Sequence, residues 1–96
     1  MNTVQDVVEA RIAAAIARLI ALADAAEECA RTADAAATAA RMGYRAAPGA
    51  DAELTMAEAT MRADIAHQYV WDAHDEVQAA LDARAFVEAA LAAQED

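Results

Sequence analysis

Residues that break, staple or bulk out a fold are scarce in this chain. Among 96 positions there are one proline, two glycines, one cysteine, one tryptophan, two tyrosines and one phenylalanine, and lysine is absent. A lone cysteine, Cys29, closes no internal disulfide, which favours a reducing, cytoplasmic setting. In an alanine-rich context it reads as a small packing residue rather than a nucleophile. Two glycines are too few for a Gly-rich phosphate loop. No threonine pairs with a histidine in the helical register derived below, so no nucleophile–base couple is visible. The expectation is a protein that is not an enzyme, with no catalytic residues and no cofactor. Long apolar runs are missing too. Arg11, Arg18 and Asp24 interrupt the first half, so no membrane span is expected. The opening stretch MNTVQDVVEAR has neither the basic start nor the unbroken apolar core of a signal peptide.

Positive charge is also in short supply. The formal net charge is -10 and the pI is near 4.4. Direct binding to nucleic-acid phosphates or to anionic membranes is therefore not expected. The charge is unevenly spread. Residues 1–49 carry six acids and five arginines, whereas residues 50–96 carry eleven acids and only Arg62 and Arg84. The second half is the acidic one.

What the chain does have is alanine, roughly a third of all residues and the best helix former. Both glycines and the proline fall together at Gly43, Pro48 and Gly49. Proline cannot continue a helix, and glycine commonly ends one. The pattern predicts a single all-α domain over residues 1–96: a helix over 3–42, a turn over 43–50 and a second helix over 51–93. Asn2 or Thr3 can cap the first helix, and Asp51 the second. So short a connection forces an antiparallel return, giving a two-helix hairpin.

Apolar periodicity agrees. Ile12, Ile16, Leu19, Ala23, Ala26, Ala30, Ala33, Ala37, Ala40 and Tyr44 alternate spacings of three and four. Met56, Ala59, Ala63, Ala66, Val70, Ala73, Val77, Ala80, Val87 and Leu91 do the same, broken at Arg84. These are heptad seams of an alanine-rich, coiled-coil-like pair. Centred near Pro48, the register sets Leu19 level with Val77, Ala33 with Ala63, and Glu27 with His67. It also brings Glu9 and Arg84, the charged interruptions of the two seams, within about a turn of each other as a pair.

The bulky residues are the ones left over. Ile20, Leu22, Leu54, Met61, Ile65, Tyr69, Trp71, Leu81 and Phe86 lie off the alanine seam. A two-helix hairpin covers only one stripe, be it the alanine stripe or the bulky one. The surplus points to a partner, and a second hairpin completing a four-helix bundle is the simplest. The sequence thus reads as an acidic interaction module that self-associates or docks on another protein. Its expected contact region is Tyr69, Trp71 and His74 with the acids Asp72, Asp75 and Glu76. Aromatics anchor interfaces, and acids select a basic partner.

Three alternatives share these features. Small size, acidity and the missing catalytic site also suit a phage-type inhibitor, anti-CRISPR-like, that blocks a basic nucleic-acid-binding surface of a host defence complex. Length and hairpin shape resemble the WXG100 secreted hairpins. The turn, however, reads Met42-Gly43-Tyr44-Arg45 where that family has Trp-x-Gly, and Tyr69 is followed four places on by Ala73 rather than an acid. Finally, Asp64-x-x-His67 with Glu27 resembles the carboxylate–histidine spacing of small ferritin-like metal-binding hairpins, with Asp in place of their Glu.

Overall fold

The computed structural model describes residues 3–95. The chain forms two helices, α1 (Val4–Ala46) and α2 (Ala50–Glu95), antiparallel and packed on each other along their length. The rod measures 71 × 21 × 13 Å, so it is one helix thick and two wide.

Thr3 starts α1 through a reciprocal cap. Its hydroxyl oxygen accepts from the Asp6 amide at 3.1 Å, and the Asp6 carboxylate accepts from the Thr3 amide at 3.2 Å. The other expected cap, Asn2, lies outside the described residues. Gly43 does not end α1, contrary to the turn expected over 43–50. The helix passes through it to Ala46, and the Ala47 amide donates to the Gly43 carbonyl at 2.9 Å. One glycine costs about 1 kcal/mol in a helix, which the surrounding alanines outweigh. The stop is Pro48, whose ring forces the residue before it out of the helical region: Ala47 has φ -143° and ψ 80°. Gly49 supplies the first carbonyl of α2, accepting from Glu53 at 2.9 Å. Asp51 therefore sits with Glu53 in the first turn, beside the positive end of the helix dipole, and not at the cap.

The alanine stripe is the intramolecular one. Ile16, Ala23, Ala30 and Ala37, spaced by seven, are buried on α1, and Ala63 is buried on α2. Every other residue of the two expected seams is half-buried except Arg84, which is exposed. Small side chains make this a thin core. Burying a methyl-sized group is worth about 0.8 kcal/mol, against roughly 1.5–3 kcal/mol for a leucine or phenylalanine. Of the bulky off-seam residues, Ile20, Leu22, Leu54, Met61, Ile65, Tyr69, Trp71 and Phe86 are exposed. Leu81 is half-buried and does not point outward as expected.

Candidate interaction surface

Beside the seam, on one side, two histidines of α2 reach acids of α1. His67 Nε2 lies 2.9 Å from both carboxylate oxygens of Asp34, and His74 Nε2 lies 2.7 Å from Glu27 Oε1. Both partners are seven residues apart on each helix, so the two clasps repeat one geometry. Another step of seven on α2 leads to Leu81, which shares the histidines' face beside the seam and is half-buried. All four clasp side chains are 39–53% exposed, so the pairs stabilise the hairpin only modestly.

This arrangement replaces two sequence expectations. Glu27 is taken by His74, not brought to His67, and among the described residues no group of three His, Cys, Asp or Glu could hold a metal ion. Glu9 and Arg84 do not pair either. Glu9 accepts from Gln5 at 3.2 Å, and Arg84 Nε lies 3.9 Å from Glu88 on its own helix. The cause is common to both. Helical side chains lean toward the N-terminus of their own helix. Here α2 side chains lean toward the turn and α1 side chains lean away from it. A residue of α2 thus meets an α1 residue that lies nearer the turn than itself. His67 is nineteen positions beyond Pro48 and Asp34 fourteen before it, so they converge. Glu27, twenty-one before Pro48, leans away from His67, as Glu9 does from Arg84.

The opposite side of the seam is a groove. Its floor is small because α1 contributes Cys29, Thr32, Ala33 and Ala36 there. One depression of about 380 Å³ is lined by Ala26, Cys29, Tyr69, Asp72, Ala73 and Glu76 among others. The next, about 320 Å³, shares Cys29 and adds Ala36, Ala59 and Arg62. A third shares Ala36 and runs past Gly43 to Ala52 and Thr55. Neighbouring depressions share Cys29 or Ala36, so they lie in a row as a shallow, mostly apolar groove open to solvent. At its edge Glu28 accepts from Arg31 Nε at 3.2 Å, and that contact holds the guanidinium above its ordinary pKa.

The six expected contact residues are divided among several faces. Tyr69, Asp72 and Glu76 line the groove. Trp71, two positions past Tyr69, is rotated by about 200° and lies on the histidine side, between His67 and His74. His74 is occupied by Glu27, and Asp75 lies on the outer ridge. Tyr69 and Trp71 are both exposed, at 65% and 63%, but no single surface presents both. Arg62, Cys29 and Ile65 were not singled out as contacts, though a signal existed. Glu58, Arg62, Ile65, Tyr69, Asp72 and Glu76 form a second series of alternating four and three spacings. Comparison of the chain with family models, with curated proteins and with solved structures finds no match.

Proposed function

We propose that this chain is a non-enzymatic protein–protein interaction module whose docking surface is the groove beside the seam. The observation that carries the reading is the mismatch between its two stripes. Alanine fills the core, while Leu22, Ile65, Tyr69 and other large side chains stay exposed. Displaying so much apolar surface is costly unless a partner covers it. A groove floored by alanine, cysteine and threonine is shaped to admit another helix at close range. No helix of the described residues is long and apolar enough to cross a membrane, so a lipid-spanning use of these side chains is not supported.

A photo-cross-linking amino acid placed at Tyr69, inside the groove, tests this in the producing cells. Position 78, on the other side of α2, serves as the control. Adducts are expected from position 69 and not from 78. No adduct from position 69 removes the reading. The acidity of α2 supports a second reading, the inhibitor that caps a basic surface. In that case the adduct is with a basic protein, and its yield falls steeply as salt rises.

A further inference from the structure

We propose that the groove seats a second copy of this chain, with α2 lying antiparallel to the second copy's α2 about a two-fold axis at Tyr69. This rests on the interaction-module reading and names its partner. The argument begins with charge. Seating α2 on a second α2 brings two strongly acidic helices together, and an alignment that sets their few arginines against acids offsets that repulsion. Arg84 is already beside Glu88 on its own helix. Arg62 makes no ion pair among the described residues, nor does Glu76. Both line the groove.

Their spacing is symmetric. Arg62 precedes Tyr69 by seven residues and Glu76 follows it by seven. Seven residues are two helical turns, roughly 10 Å. An isologous interface repeats every contact twice. With the axis at Tyr69, Arg62 of each copy meets Glu76 of the other, and the two tyrosines meet at the centre. A parallel alignment instead sets Glu76 against Glu76 and Arg62 against Arg62, so charge selects the antiparallel one.

Position along the rod supports the same axis. Tyr69 lies twenty-one residues beyond Pro48, close to the midpoint of α2. Two rods crossing there in opposite directions overlap over almost their whole length. A face of 71 × 21 Å overlapped this far covers roughly 1,200 Å² per copy, more than the about 800 Å² typical of a stable interface. On α1 the same axis passes near Glu27 and sets Leu22 opposite Thr32 and Ala25 opposite Cys29, which are small against larger and small against small. The product is a four-helix bundle in which Leu22, Ile65 and Tyr69 cease to be exposed.

The test is a charge swap read by sedimentation equilibrium at low salt, using the full chain. The wild type is expected to sediment as a dimer of the 10.0 kDa chain. Arg62→Glu alone and Glu76→Arg alone should each weaken self-association by about tenfold or more, because each places like charges opposite at two symmetry-related points. The double variant, with both substitutions, should recover the dimer. Circular dichroism confirms that every variant is helical. A monomeric wild type, single reversals without effect, or a double variant that fails to recover would each overturn the proposal. If the wild type is monomeric while position 69 still cross-links to another protein, this inference falls and the interaction module stands. If position 69 captures nothing, both fall.

Discussion

His67 and His74 show how much of this molecule is decided by the direction in which a side chain leans. Either histidine could have been paired with acids on its own helix, and Asp64 and Asp75 were available. Both instead cross to α1, to Asp34 and Glu27. Half-exposed pairs of this kind are worth about 0–1 kcal/mol each. His67→Gln and His74→Gln are therefore each expected to lower stability by no more than about 1 kcal/mol. The double variant should be additive, since the clasps lie roughly 10 Å apart. Thermal unfolding followed by circular dichroism checks this, and a loss above about 3 kcal/mol from one substitution would mean the clasps hold more than geometry implies. At this scale the sequence was partly legible. The seam residues could be read from period alone, because burial follows Cα position around the helix. Partners across the seam could not, because they depend on lean, which shifts each contact along the rod by several residues.

Helices α1 and α2 were legible as elements, and their ends less so. A breaker cluster announces a turn, but it does not say which breaker acts. Pro48 does, by geometry, whereas Gly43 merely weakens a helix that continues through it. Gly43 has no positive φ, and a Cβ built there meets nothing within 4 Å. Gly43→Ala is thus expected to stabilise the hairpin by about 0.5–1 kcal/mol, by raising helix propensity and restricting the unfolded chain. Denaturant titration measures it; destabilisation would show that the glycine is needed for something the helix geometry does not show. The faces of α2 follow from the helical period. Tyr69, Trp71 and His74 are close in sequence, but closeness along a helix is not a shared face. Two residues along a helix is more than half a turn, so the aromatic cluster is divided between the groove and the clasp side.

For the whole molecule, that division makes a prediction of its own. Tyr69→Ala should weaken association through the groove, while Trp71→Ala should leave it nearly unchanged. Light scattering across a concentration series compares the two. Equal losses from both would show that the interface is not confined to the groove. The hairpin architecture itself was legible because alanine content, one breaker cluster and two heptad series all point the same way. The occupant of the groove was not, since nothing in a single chain's periodicity distinguishes a second copy from a stranger. The placement of Arg62 and Glu76 around Tyr69 is what supports the proposed second copy, and it acquires meaning once the groove puts all three on one side.

The three residues between the helices, Ala47, Pro48 and Gly49, have a consequence for sliding. Ala23, Ala30 and Ala37 on one helix face Ala59, Ala66, Ala73 and Ala80 on the other, and these teeth are interchangeable. Shift one helix by seven residues and methyl still meets methyl, with almost the same contact energy. The alanine stretch of the seam is nearly degenerate in translation: it holds the helices together but leaves their offset to the tether and to the larger seam residues Ile16, Leu19, Val70 and Val77. So short a tether permits one alignment only. Cut it, and the two helices become a pair of rods able to dwell at several offsets.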